Sequence, residues 1–305
     1  MVQFKRVKRP VNGVLLLDKP LGFSSNQALQ KVKWLYQAAK AGHTGTLDPL
    51  ATGLLPICFG EATKFSHYLL GAKKSYHATV KLGATTTTGD AEGEVLTRAA
   101  VNVAPDQLNT VTTQFIGDIT QVPPMYSALK FEGKALYEYA REGVDIERVA
   151  RDVTIFNIQL LRFEGDVAEI TVTCSKGTYI RTLAEDIGAV LGCGAHLIGL
   201  RRTATADYQL QDAVTIEQLE AMSLVEKDAQ LLAVDSSLQD FPKVSISMDV
   251  AFYLLQGQSI WQSSAVTKNI RPQDDFRIYD ESGRFLGLGK LLDDGKIAPK
   301  RLLNF

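Results

Sequence analysis

Cysteine is scarce in this 305-residue chain: Cys58, Cys174 and Cys193 are the only three, odd in number and far apart. That excludes a disulfide framework and fits a reducing compartment. No Cys-x-x-Cys pair occurs. The four histidines, His43, His67, His77 and His196, lack the pairing of a zinc site, so a metal is not expected. No apolar run reaches the length of a bilayer span, so no membrane association is expected. The start, Met1 to Pro10, is basic and has no apolar signal-peptide core, so a cytoplasmic protein is expected. There is no internal repeat and no low-complexity segment.

Net charge is also lacking, at −1, which at first argues against a nucleic-acid partner. Its distribution argues the other way. Met1 to Lys40 holds eight Lys/Arg and one acid, Asp18, a balance of +7. Thr203 to Asp249 holds nine acids and two lysines, a balance of −7. Such separation leaves either a basic face for phosphates or two oppositely charged solvated surfaces.

What is present is enough apolar residue (45%, against 22% charged) to build a real core in one large domain, or a large one and a small one. Val14–Leu17 is a short apolar run followed by a turn, Asp18 to Gly22. Ser24 or Ser25 caps a helix expected to reach about Ala39. Gly42–Gly53 reads as a loop, and Tyr76–Leu82 alternates like a strand before a turn over Thr85–Gly93. Helices are expected over Ala104–Phe115, Ala135–Arg141, Tyr179–Leu191, Thr215–Met222 and Val225–Leu232, and strands over Thr154–Phe163 and Ala168–Cys174. Beyond Pro242, Ser282-Gly283 and Asp294-Gly295 read as hairpin turns in a small β-rich module.

The string Gly42-His43-Thr44-Gly45-Thr46-Leu47-Asp48-Pro49-Leu50-Ala51-Thr52-Gly53 can present one carboxylate in a fixed direction. Pro49 restricts the backbone after Asp48, and the glycines admit a substrate backbone. By composition alone, such an Asp belongs to an Asx-turn or a helix cap more often than to a catalytic site.

As a string, the segment resembles the catalytic motif of the bacterial tRNA pseudouridine-55 synthases, the TruB family. The resemblance extends in order through Lys19–Ser25, Lys74-Ser75-Tyr76, Thr87–Gly93, Gln121–Lys130, Lys176–Arg181 and Gly194–Thr203. It covers about residues 10 to 205. It implies an α+β fold: a mixed, largely antiparallel sheet with flanking helices, a thumb-like insertion and a small C-terminal β-barrel-like domain. The corresponding division is a catalytic domain over 1–243, with the insertion at about 121–150, and a β-rich, PUA-like RNA-binding domain over 244–305. The tail matches the family only in size and texture.

The activity implied is isomerisation of uridine to pseudouridine at position 55 in the T loop of tRNA, acting on a flipped-out base without a cofactor. No obligate protein partner is implied, and a monomer is expected. The resemblance makes Asp48 the nucleophile, whether it attacks the ribose, adds to C6 of uracil or works through an elimination. Tyr76 becomes the stacking surface, with its hydroxyl a candidate proton acceptor, and Arg181 the partner of Asp48. Taken alone, Tyr76 reads as a core aromatic and Arg181 as a surface ion pair. His43, Tyr179 and Leu200 are implied pocket residues. Lys19, Lys64, Arg201 and Arg202 are expected phosphate contacts, with solvated surface charge as the alternative. In the insertion, Lys130, Lys134, Tyr126, Tyr137 and Tyr139 mix cations and aromatics as RNA contacts do. Two other readings stay open: a tRNA-binding folding chaperone, with or without catalysis, and a glycoside or nucleoside hydrolase using Asp48 and Asp90.

Overall fold

The computed structural model describes residues 8–261 and 270–304. The basic residues Lys5, Arg6 and Lys268 lie outside them.

The chain opens with β1 (Gly13–Lys19), α1 (Ser25–Leu35), β2 (Ala41–His43), β3 (Ala51–Phe59), α2 (Ser66–Gly71) and β4 (Lys74–Leu82). A small hairpin, β5 (Ala84–Thr86) and β6 (Val95–Arg98), precedes α3 (Pro105–Gln114) and β7 (Gly117–Gln121). The insertion follows, with β8 (Lys130–Phe131), β9 (Lys134–Ala135) and α4 (Leu136–Arg141). Then come β10 (Arg151–Glu164), β11 (Val167–Cys174), α5 (Ile180–Val190), β12 (Ala195–Thr205), β13 (Tyr208–Gln209), α6 (Ile216–Ala221) and α7 (Leu224–Ala229). The last part is β14 (Lys243–Ile246), α8 (Met248–Leu255), β15 (Asp275–Asp280), β16 (Phe285–Leu291) and β17 (Ile297–Leu302).

The main sheet runs β1-β3-β12-β4-β11-β10-β7. All its neighbours are antiparallel except β3 and β12, which are parallel over three residues: Ala51 with Leu200, Thr52 with Arg201 and Gly53 with Arg202. β4 and β11 alternate strictly, so Tyr76, Ala78, Val80, Ile170 and Val172 face the helices. The apolar run of β1 is unbroken because both of its faces are covered. Leu15 and Leu17 join the main core; Val14 and Leu16 join a second cluster with Leu54 and Cys58. Against the main core lie Ala28, Leu29 and Val32 of α1, and Leu183, Ala184 and Ile187 of α5.

Ser24, not Ser25, caps α1: its side chain accepts from Gln27 N while the Gln27 side chain accepts from Ser24 N. The helix stops at Leu35 rather than Ala39, because Gln37 takes a left-handed conformation (φ 53°). The expected loop at Gly42–Gly53 shrinks, since both of its ends are strand. β3 continues through Pro56, whose carbonyl accepts from Thr44 N, outside the β1 ladder. The missing N–H of Pro56 lies on that same side, opposite Thr44 just past the end of β2, so the β1 ladder is intact and only the end of the short β2 ladder lacks a bond.

A second sheet, β14-β15-β16-β17, has its own core of Val244, Ile246, Leu254, Phe276, Ile278, Leu286 and Ile297. It carries α8 as well as strands. Phe65 and Leu238 meet Tyr279, Phe285 and Leu288 between the two sheets. No helix among the described residues is long and apolar enough to cross a membrane.

Gly53 joins β1, β3 and β12. It has φ +99°, and a Cβ there would stand 2.3 Å from Arg202 O and 2.8 Å from Arg202 N. Gly53→Ala is expected to destabilise the fold by about 3 kcal/mol. The urea midpoint measures this; a shift worth less than about 0.5 kcal/mol would mean the strands part without cost.

Candidate active site

Asp48 sits in the short crossing from β2 to β3. Pro49 forms a turn closed by Ala51 N donating to Asp48 O (3.0 Å), and Gly22 N donates to Pro49 O (2.9 Å). Ser25 clamps the preceding residue from α1. Its buried hydroxyl accepts from Leu47 N (2.7 Å) and donates to Leu47 O (3.0 Å). The aspartate therefore rests on a fixed backbone, not a free loop.

Its carboxylate opens into a cavity of about 400 Å³. Asp48, Ala51, Tyr76, Tyr179, Arg181, Leu200 and Arg202 line it, with Lys74, Ser127, Leu129 and Lys176. Arg181, only 5% exposed, crosses behind Asp48. Its Nη2 lies 3.0 Å from Asp48 Oδ2 and donates to Tyr126 O (2.6 Å). Its Nη1 donates to Thr88 O (2.9 Å) and lies 3.7 Å from Asp90 Oδ2. The guanidinium is thus held by two carboxylates and two carbonyls, in a fork that a lysine could not reproduce. Asp90 is fixed in turn by Thr88 Oγ1 and Glu92 N.

The Asp48 side chain is 40% exposed, but into the recess. Burial raises its pKa above the ordinary aspartate value, Arg181 opposes that rise, Asp90 adds to it and Lys19 opposes it. Tyr76, on β4 beside Arg202 of β12, is nearly buried. Burial raises its pKa against the charge of Arg202, so the phenol is protonated at neutral pH. Tyr179 precedes the first turn of α5, and burial raises its phenol pKa too.

The structure brings Asp48, Tyr76, Arg181, Tyr179 and Leu200 to one cavity. It removes three expected phosphate contacts. Lys19 is fully buried, with Nζ donating to Pro20 O and Phe23 O, and burial lowers its pKa to about 8. Arg202, 1% exposed, donates from Nε to Leu54 O and from Nη2 to Gly45 O, tying the Asp48 loop to β3. Lys64 pairs with Glu61 (2.6 Å) and donates to Leu302 O (2.9 Å), so it ties the two sheets together. Arg201 stays partly exposed but pairs with Asp18 (2.6 Å).

His43 does not line the cavity. β2 pairs it with Ile57 beside Arg202, where burial and then the arginine's charge lower its pKa. Asp90 is also outside the lining, on the far side of Arg181, so it cannot flank a bond held in the cavity. The expected basic face at the chain start is partly neutralised. Arg9 pairs with Asp228 (2.7 Å) and Lys31 with Glu220 (2.5 Å), both acids from the acidic stretch.

Lys74, Ser127, Leu129 and Lys176 had no assigned role, although each lies in a string that carries the resemblance. Lys176 is the exposed cation among the described lining residues. In the insertion, Lys134 pairs with Glu142 (2.5 Å) and lies 4.5 Å from the Tyr139 ring centroid.

Comparison with known proteins covers almost the whole chain. A profile described as "TruB family pseudouridylate synthase (N terminal domain)" matches residues 33–180. "tRNA pseudouridylate synthase B C-terminal domain" matches 181–240, and "Pseudouridine synthase II TruB, C-terminal" matches 242–303. The tRNA pseudouridine synthase B of Methylobacillus flagellatus is 65% identical over 302 residues, 99% of this chain and 98% of that one. The Ectopseudomonas mendocina protein of the same name is 54% identical over 307 residues, 99% of each chain. Among solved structures, a Cbf5-Nop10-Gar1 complex aligns with TM-score 0.70 at 25% identity, over 96% of this chain and 84% of that one. An H/ACA RNP bound to a substrate RNA containing 2′-deoxyuridine aligns with TM-score 0.71 over 96% and 85%. At 23% identity, that second likeness speaks for the fold alone.

Arg181→Met leaves Asp90 buried without its counter-charge. It is expected to cost about 3 kcal/mol of unfolding free energy, with Asp90→Asn in the same chain returning part of it. Denaturant titration of single and double variants checks this; equal losses would show that Asp90 does not depend on the guanidinium.

Proposed function

We infer the site's chemistry from one premise: the chain belongs to the TruB family of tRNA pseudouridine synthases. It is an enzyme that isomerises uridine to pseudouridine in tRNA. We assign as its target the uridine at position 55 of the T loop, with Asp48 as the nucleophile. The observation that carries this reading is the Asp48–Arg181 ion pair at the wall of a cavity that also holds Tyr76 and Leu200.

The reaction needs a flipped uridine, a broken glycosidic bond, a turned base, and a new bond at C5 with loss of its proton. Extruding the base costs a few kcal/mol. Stacking on an aromatic ring returns about 1–3 kcal/mol, and Tyr76 is the ring in place. Its hydroxyl is the candidate acceptor of the C5 proton, and because the phenol is protonated at neutral pH it must hand its own proton on as it takes that one. Arg181 holds Asp48 ionised and aimed while burial works against its charge. Leu70, Ala51, Leu129, Ile180 and Leu200 give the cavity apolar walls. Such walls exclude water while the base is detached, which favours rejoining over hydrolysis. The position of Asp90 behind Arg181 speaks against a two-carboxylate hydrolase.

Lys176 takes the phosphate role at the cavity mouth. The C-terminal region, 244–305, adds RNA contacts; exposed Phe252 and Tyr253 on α8, and Lys296 at 5.1 Å from the Trp261 ring, support that role. We propose a monomer that acts without an obligate protein partner. The three buried free thiols fit a reducing cytoplasm.

With a T-arm stem-loop tritiated at uridine C5, the native chain is expected to release tritium and form pseudouridine in the loop, and Asp48→Asn to do neither. Tight binding without release would move the reading to a folding chaperone. Because ionised Asp48 is the reactive form and its pKa is raised, single-turnover rates are expected to fall with acid through a pKa above the ordinary aspartate value. A rate–pH profile at saturating RNA measures this. An acid limb at the ordinary aspartate value would remove burial of Asp48 from the account.

A further inference from the structure

We propose that Gln121 is a positioning residue for this reaction, holding the start of α5 so that Tyr179 and Arg181 stand at fixed points on the cavity wall. The inference rests on the site reading above. Gln121 is the last residue of β7 and is 3% exposed. Its Oε1 accepts from Tyr179 N (3.0 Å), and its Nε2 donates to Tyr179 O (3.3 Å). A side-chain amide thus makes the two bonds that one residue of a neighbouring strand would make.

The start of α5 lacks a clamp of its own. Tyr179 occupies the N-cap position in extended conformation (φ −100°, ψ 111°), has no capping side chain, and is followed by no acid in the first turn. Its carbonyl also accepts from Leu183 N (3.1 Å), so Gln121 grips the group that opens the helix. Arg181 follows two residues later and pairs with Asp48.

Gln121 is also the root of the insertion. It pairs with Arg151 across the β7–β10 ladder, so the residues between leave the sheet and return to it at one rung. Farther along, Tyr126 O accepts from Arg181 Nη2. The insertion therefore bears on Arg181 twice, through Gln121 and Tyr179 at its root and directly at Tyr126. A glutamine offers donor and acceptor at the required reach; glutamate lacks the donor, and methionine matches the length with neither.

The test compares native protein, Asp48→Asn, Gln121→Met and Gln121→Glu on the tritiated T-arm RNA. Gln121→Met is expected to slow single turnover at saturating RNA by about tenfold to a hundredfold. RNA affinity should stay within about threefold, since no contact that only binds is removed. Gln121→Glu, which keeps the acceptor for Tyr179 N–H, should recover part of the rate. Protection of the Tyr179 amide against hydrogen exchange should fall about tenfold or more in Gln121→Met, whatever the activity. A native rate with native protection, or a rate loss matched by lost RNA affinity, overturns the proposal. If Gln121→Met does not fold, Gln121→Glu decides: a slowed rate at unchanged affinity supports the clamp, and a native rate overturns it. Absence of tritium release from the native chain would instead fail the site reading, and Tyr179 exchange alone would then decide on the clamp.

Discussion

A buried guanidinium is the constraint on which this structure turns. Taking an arginine out of water costs several kcal/mol unless its charge and its donors are met. Arg181 is met by Asp48 and Asp90 and by the carbonyls of Thr88 and Tyr126. These partners come from the β2–β3 crossing, the turn after β5 and the insertion, while Arg181 comes from α5. None of those segments is near another in sequence. The parallel contact of β3 with β12 and the Gly53 approach to Arg202 place the crossing; Gln121 places the start of α5.

The same constraint links fold to chemistry. A nucleophilic carboxylate must be ionised, yet a cavity dry enough to retain a detached base pushes it toward the neutral acid. Under the proposed assignment of Asp48 as that carboxylate, Arg181 opposes the push from 3.0 Å, and Asp90 holds the arginine from its other nitrogen. A second carboxylate therefore belongs to the site without facing the substrate. Cysteine and histidine have no comparable place: the three thiols are buried, and His43 is held by strand pairing outside the cavity lining.

Much of the fold was legible in the sequence because its signals are local. The alternation of Tyr76–Leu82 reports a half-buried strand, and Ser24 with Gln27 reports a helix start. What was illegible depends on distant partners. β3 runs through Pro56 because its missing N–H faces away from β1, at the end of the short β2 ladder, and most of β12 pairs with β3 and β4, more than a hundred residues away in the chain. The site divides in the same way. Asp48, Tyr76 and Arg181 stand in strings that carry a strong resemblance, and the structure gathers them. Lys19 and Arg202 read as phosphate contacts or solvated charges because residue type predicts solvent, yet both are buried. Their burial depends on the carbonyls of Pro20, Phe23, Leu54 and Gly45, which no charge count shows.

Charge itself changes meaning between sequence and space. The basic start and the acidic stretch appeared to be separate faces, one open to phosphates. Arg9–Asp228 and Lys31–Glu220 bring them together, with α6 and α7 supplying the acids beside α1. Surface pairs of this kind add little stability, but they withdraw cations from any long-range field. With a net charge of −1, the whole molecule exerts little pull on a polyanion at distance. Attraction must then act locally, within a Debye length of about 8–10 Å. At that range the exposed cation that lines the recess, Lys176, is the group we propose meets a phosphate beside the flipped base. A near-neutral chain can engage RNA on those terms, because recognition depends on where the unneutralised charge lies and not on how much the sequence carries.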